Sequence, residues 1–441
     1  MSSSNNSKMS LTQLTLLTML NMMGSGIIML PTKLAEVGTF SIISWLVTAG
    51  GSMCLAYAFA QCGMLSNTRA GMGGYAEYVF GKSGSFMANY TYAVSLLIAN
   101  VAIAVTSVGY TQALFGVELS STGTVIATIC VLWACTSLNF KGARITGYIS
   151  NLSAYGVIIP VLFLSIGGWF WFSGDLYVKS WNPNNIPTFK AISASISMTL
   201  WAFLGIESAC ANSETVENPQ KNVPRAVMMA TIGVAIIYIL ATNIAAGIVE
   251  NKELVKSTAP FGLVFASMFN DTVGKIVMAM MAVSCTGSLL SWQFTIARVF
   301  KSSSDEGYFP HWFSIITKDD VPLIGMCIIT VIQSALAFMT INPSLYQQFN
   351  VLVDLAVVTN VMPYILSMAA VFVLQKREHQ PLAKQKLTNI AAFLGAIYSM
   401  YALYASGLDA MFWGSLATVL GWVFYGFAAN SLYERNAKAA A

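Results

Sequence analysis

Charge is what this chain lacks. Charged side chains make up 9% of its 441 residues, against roughly 25% in a soluble domain. A surface so poor in charge cannot face water throughout, so most of it must face lipid. Histidine is nearly absent too: the 2 histidines, His311 and His379, lie in polar stretches and give no support to histidine-based catalysis. The 7 cysteines fall mostly inside apolar runs, with no Cys-x-x-Cys pair and no histidine at ligand spacing. Neither a disulfide framework nor a zinc site is indicated. No nucleophile–base pair or metal cluster stands out, so an enzyme is not expected. The net charge of +4 matters only through where its members lie, and no nucleic-acid partner is expected.

What is present is apolar: 56% of residues are hydrophobic and the mean hydropathy is +0.66. At about 20 apolar residues per crossing, the chain has room for about twelve crossings. Apolar runs set against polar punctuation predict spans over 11–34, 40–63, 84–112, 122–139, 148–172, 192–215, 225–249, 273–300, 322–340, 346–372, 387–406 and 410–430. The first run is long enough to span and has no small-residue cleavage site, so it reads as a helix and not a signal peptide. Residues 1–10 and 431–441 read as short tails. Lys141, Arg144, Arg298, Lys301, Lys376 and Arg377 fall on one side of these spans, with most other basic residues; Lys33, Lys179, Lys190, Lys252, Lys256 and Lys275 fall on the other. Basic loops stay inside, which predicts a multi-pass protein with both tails cytoplasmic.

Two spans carry interruptions in their middles: Asn-Met-Met-Gly-Ser-Gly-Ile-Ile (Asn21 to Ile28) and Trp-Ala-Phe-Leu-Gly-Ile-Glu-Ser (Trp201 to Ser208). Lipid offers no partner to an unpaired backbone group, so such breaks weaken a span unless they serve a ligand. Matching breaks in two halves of a transporter point to its binding site. The first and sixth spans lie an odd number apart, which places 11–172 and 192–372 as repeats of opposite orientation, with 387–430 appended. The expected fold is all-α, a LeuT-like five-plus-five inverted repeat with two extra helices.

At Gly24-Ser25-Gly26 the missing Cβ atoms let backbone approach a ligand closely. A half-helix beginning near Ile27 would offer free N–H groups and a positive dipole end to a carboxylate. The competing reading is a Gly-x-Gly pair for close helix packing. Glu207 is an isolated acid in an apolar run, and an ionised carboxylate at mid-membrane costs at least about 2.5 kcal/mol. It should face a cavity and bind a cation or a proton, unless hydroxyls or a lysine satisfy it. Trp201 precedes it, and Trp292 lies in a polar context with Cys285, Thr286, Ser288 and Ser291. An ammonium over an indole gains about 2 kcal/mol when desolvated, although a membrane tryptophan is also a common interface anchor. Tyr92 and Tyr425 are further candidates, equally readable as packing. Cys62 and Cys210 read as ordinary buried thiols or as accessory site groups.

Asn21-Met-Met-Gly-Ser-Gly-Ile-Ile-Met-Leu-Pro31, Gly71-Met-Gly-Gly-Tyr-Ala-Glu-Tyr78, and Glu207-Ser-Ala-Cys-Ala-Asn with the following Glu217-Asn-Pro resemble motifs of the amino acid–polyamine–organocation superfamily. Within it the chain is similar to the basic amino acid/polyamine antiporters, through Thr199-Leu-Trp-Ala-Phe-Leu-Gly-Ile-Glu-Ser, Ser291-Trp-Gln-Phe-Thr-Ile-Ala and Phe300-Lys-Ser-Ser-Ser-Asp-Glu-Gly-Tyr-Phe-Pro. The resemblance implies an exchanger of the bacterial inner membrane that swaps an amino acid for its decarboxylated amine, without ATP or any cofactor. It implies putrescine and ornithine as the pair, with Trp201 and Trp292 lining the site and Glu77 and Tyr78, in a loop after the second span, as a cytoplasmic gate. Lysine–cadaverine and arginine–agmatine exchange use the same parts with another cavity length. Proton-coupled putrescine uptake and a homodimer stay open. Asp354 departs from the pattern, since a neutral amide is expected there. A transporter-like amino-acid sensor would carry a long soluble tail, and a channel would need a filter or ring of like charges.

Overall fold

The computed structural model describes residues 9–24, 26–66, 71–207, 216–318, 320–342 and 344–440. Its helices are α1 (Leu11–Met22), α2 (Leu30–Ala35), α3 (Ile42–Leu65), α4 (Gly71–Phe115), α5 (Ser121–Asn139), α6 (Ala143–Gly167), α7 (Thr188–Trp201), α8 (Pro219–Ile248), α9 (Pro260–Met268), α10 (Asp271–Asp305), α11 (Leu323–Met339), α12 (Leu345–Arg377), α13 (Leu382–Ala405) and α14 (Leu408–Ala440). Among the described residues the one β element is an isolated bridge between Met9 and Val216. Caps fix several starts: Ser10 and Gln13 form a reciprocal box ahead of α1, and Ser120, Asn270 and Ser344 cap α5, α10 and α12.

Among the described residues, 9 helical stretches are long and apolar enough to cross a membrane, and α11 is a shorter apolar helix. Two further segments are interrupted. The first is α1 and α2 with a non-helical stretch between them. The second is α7, followed by turns over 202–207. Gly407 (φ +86°) separates α13 from α14, so the last two spans are distinct as expected.

Three boundaries differ from the sequence reading. The helix after the first break resumes at Leu30, not near Ile27, with turns over 26–29. Glu77 and Tyr78 lie within helix rather than loop, because the backbone stays helical from Gly71 until Gly81 (φ 62°, ψ −157°) kinks α4. Beyond residue 430 the backbone continues as helix to Ala440.

The two breaks meet. A Cβ on Gly26 would stand 3.0 Å from the Ala202 Cα, and one on Gly205 would stand 3.2 Å from the Asn21 carbonyl oxygen. Backbone lies on backbone at this crossing, so glycine is required on each side. Gly205 also has φ +110°, a conformation that side chains disfavour. Buried tyrosines supply the hydrogen bonds that α1 loses where it unwinds. The Tyr238 hydroxyl donates to the Met22 carbonyl at 2.8 Å and that of Tyr110 to Ile28 at 3.1 Å.

Tyr238→Phe tests this account. Leaving the Met22 carbonyl unpaired should cost about 1–3 kcal/mol, read as a lower thermal unfolding midpoint of the purified protein in detergent. A midpoint equal to the parent's would show that this carbonyl has another partner.

Candidate functional site

Glu207 sits at the end of the turns that follow α7 and is 8% exposed. Its Oε1 accepts from the Tyr92 hydroxyl on α4 at 3.1 Å. Its Oε2 accepts from the Tyr364 hydroxyl on α12 at 2.8 Å and from the Gly205 N–H at 3.1 Å. Three donors converge on one carboxylate, a group that when ionised has acceptors and no donor. The ion pairs among the described residues, Lys33–Glu36, Arg298–Asp320 and Lys301–Asp305, lie elsewhere. Among the described residues no cation pairs with Glu207, and its carboxylate is held by hydroxyl and backbone dipoles.

Pro363, beside Tyr364, lies inside α12 and cannot donate to the carbonyl one turn back, so one helical hydrogen bond is missing there.

A cavity of about 440 Å³ runs from Glu207, Tyr92, Trp292 and Asn21 past Gly24, Asn89, Ser288 and Ser291 to Asn151 and Ser302. Both residues at this far end are exposed. A second cavity of about 40 Å³ shares Asn21, Tyr92, Glu207 and Trp292, and continues inward along Gly26, Ser95, Leu96, Trp201 and Asn360. The four shared residues mark the junction, where a cation would meet a carboxylate and an indole together.

Two buried donors line the smaller cavity. The Trp201 indole N–H has no hydrogen-bond partner among the described residues, and the Asn360 amide lies toward the Tyr364 hydroxyl. By contrast, the indoles of Trp45 and Trp133 donate to Thr242 and Ser334. An unsatisfied buried donor costs about 1–3 kcal/mol, a penalty that a ligand acceptor relieves.

Of the residues expected from sequence, Glu207, Trp292 and Tyr92 come together at the junction, Trp201 and Gly26 line the smaller cavity, and Gly24 lines the larger. Ile27 is fully buried and lines neither. Ser25 and Cys210 lie outside the described residues. Tyr425 belongs to a separate aromatic group, 5.3 Å from Phe86 and 6.4 Å from Trp422 between ring centres. The buried Cys62 thiol donates to the Ser367 carbonyl at 3.4 Å, and Cys285 is buried in the core; neither lines a cavity wall. Glu77 is exposed and lies near Glu306, whose carboxyl is pushed up by burial and by the charges of Glu77 and Asp305, against Lys82. Tyr78 lies beneath Arg377, with the guanidinium 5.2 Å from the ring centre.

Sequence reasoning missed Asn21, Ser288, Asn360, Tyr364 and Gln293. The Gln293 amide pairs reciprocally with Gln333, also donates to Thr136 and Thr330, and accepts from Asn100 at 2.7 Å. This buried network ties α10 to α4, α5 and α11 and so fixes the neighbouring Trp292. A glutamine in mid-span was the available signal.

The sequence matches the amino acid permease family over residues 9–427. It is 65% identical over 436 residues to the Putrescine transporter PotE of Escherichia coli K12, covering 99% of each chain. It is 64% identical over 425 residues to that of Haemophilus influenzae, covering 96% of this chain and 98% of the other. It is also 28% identical over 421 residues to the Cadaverine/lysine antiporter of E. coli K12, covering 94% and 93%. The chain therefore belongs to the amino acid permease family, within the amino acid–polyamine–organocation superfamily.

Proposed function

We propose that this protein exchanges putrescine for ornithine across the bacterial inner membrane, by alternating access through twelve spans arranged as a five-plus-five inverted repeat. The observation that carries the reading is the lone Glu207 carboxylate, unpaired by any described cation, at the junction of two cavities beside Trp292 and Tyr92. The likeness to relatives named as putrescine transporters supports the cargo. With the N-terminus cytoplasmic, the larger cavity opens inward, since Asn151 follows the basic Lys141–Arg144 stretch and Ser302 adjoins Lys301.

Both cargo molecules bring an amine, which Glu207 and the indoles serve; ornithine alone brings a carboxylate. The Trp201 N–H, the Asn360 amide and the backbone at Gly26 supply donors or close approach on the smaller-cavity side. The neutral tryptophans hold a cation without fixing a second charge, so release stays within reach. Proton-coupled putrescine uptake uses the same carboxylate. Lysine–cadaverine exchange is the second reading, supported by the more distant antiporter relative.

Counterflow in proteoliposomes tests the assignment. Labelled putrescine outside should accumulate when ornithine is trapped inside, and less with lysine or arginine. Equal drive from all three, or none from ornithine, would sink the pair.

Glu207→Gln should abolish exchange or reduce it at least about a hundredfold, since about 3 kcal/mol of ion–carboxylate attraction is lost. The protein should still insert, because an amide can keep the contacts to Tyr92 and Tyr364. Parent-like exchange rates in the purified variant would refute this role.

Trp201→Leu and Trp292→Leu should each weaken putrescine binding by about 1–2 kcal/mol, and the phenylalanine variants by less. Calorimetry with all four proteins distinguishes the causes: equal losses for leucine and phenylalanine would assign the effect to shape.

A further inference from the structure

Asp354 is a second acidic side chain at span depth, and the site as described makes no use of it. It lies on α12, and its Oδ1 accepts a 2.6 Å hydrogen bond from the Ser197 hydroxyl on α7. Ser197 is 2% exposed. The other charges acting on Asp354 are those of Lys33 on α2 and Glu36 just after it, which pair with each other at 2.9 Å. Two elements thus bring polar groups to this carboxylate on α12: the half-helix before the second break and the half-helix after the first.

The location matters because α7 ends in a break. A continuous helix is aligned by the backbone beyond each end, whereas α7 gives way after Trp201 to turns. Its lateral contacts must therefore set its rotation and depth. Ser197 precedes Trp201 by four residues, one turn earlier on the same face. One turn earlier again, Ser193 bonds to the Tyr401 hydroxyl on α13 at 2.9 Å, and Thr199 bonds to Thr48 on α3 at 2.7 Å. Of these three ties, the one to Asp354 has the charged acceptor and the shortest distance, and charge-assisted bonds are roughly twice as strong as neutral ones. It also lies nearest the tryptophan along that face.

We propose that Asp354 is a positioning residue: through Ser197 it fixes the half-helix that presents Trp201 to the smaller cavity. The carboxylate touches no cargo. It sets where the indole stands, and thereby how well the site holds an amine. An acid is costly in a span even when half-buried, and this contact is the use that offsets the cost.

Two measurements test the proposal, and only the second rests on the reading of the site as a putrescine site. The first needs no cargo. Trp201 emission is taken as the difference between each protein and its Trp201→Phe counterpart, and acrylamide quenching reports its exposure. Asp354→Leu should raise the quenching constant about threefold or more, and Asp354→Asn, which keeps an acceptor for Ser197, should change it less than about 1.5-fold. Should Asp354→Leu fail to fold, Ser197→Ala removes the same bond from the other side and should shift quenching in the same direction. Unchanged quenching in the folded variants overturns the proposal.

The second is putrescine binding by calorimetry. Asp354→Leu should weaken it about tenfold in the parent but less than about twofold in a Trp201→Leu background, because the two residues act through one indole. Independent losses in the two backgrounds would mean a merely structural role and would overturn the proposal. If the parent protein binds no putrescine, the functional assignment fails, while the quenching result still decides the role of Asp354.

Discussion

A carboxylate buried in a membrane protein must be satisfied by the protein or by what the protein carries, and much of this architecture follows from Glu207. Its three donors come from α4, α12 and the break after α7. Bringing them together requires the second interrupted segment to unwind beside α12, which in turn requires Gly205 at φ +110° against the Asn21 carbonyl. The first break must then lie across the second at Gly26 and Ala202. Once α1 unwinds, its carbonyls need new donors, and Tyr110 and Tyr238 provide them. Dipoles compensate an anion only in part. That residue of negative potential, at the junction of two cavities, is what an amine would answer.

The aromatic and neutral polar groups around it fit a site that must let go. Trp292 is kept in place by an amide network anchored on Gln293 and Gln333, in which no member is charged. Such a network orients a side chain rigidly without adding a field that would trap a cation. The indole N–H of Trp201 is left without a protein acceptor, so the same residue offers a π face to an ammonium and a donor to an oxygen. One tryptophan can thus meet either end of two molecules that share an amine and differ by a carboxylate.

How much of this was legible in the sequence follows from what lipid forbids. Glycine pairs and a lone acid in apolar runs are conspicuous because a membrane helix has no ordinary use for them, so Gly24, Gly26 and Glu207 stood out without a structure. Aromatic residues are too common in membrane helices for type and depth alone to assign a face. Tyr92 and Tyr425 read alike, yet one bonds Glu207 and the other packs on Phe86. Tyr364 went unnoticed for the same reason, whereas the mid-span amide of Asn360 was an available signal. Glu77 and Tyr78, read as a loop after the second span, lie in helix, and the kink falls at Gly81. Composition signals where a helix can bend, and packing decides where it does.

The contacts on the far side of the junction bear on how such a molecule changes state. Away from Asn151 and Ser302, the hydrogen bonds that join elements flanking the breaks include Tyr110 to Ile28, Thr32 to the Ser257 carbonyl at 2.8 Å, and Ser197 to Asp354. Moving a two-state equilibrium from one extreme to the other takes ~5.5 kcal/mol of differential binding, which a cargo molecule supplies only by engaging Glu207 and the indoles more fully when the site is enclosed. An empty site has none to contribute, and its uncompensated carboxylate would then cross an enclosed, water-poor state alone. The cost of that passage gives a physical reason for the protein to turn over loaded, and so for exchange instead of simple leak.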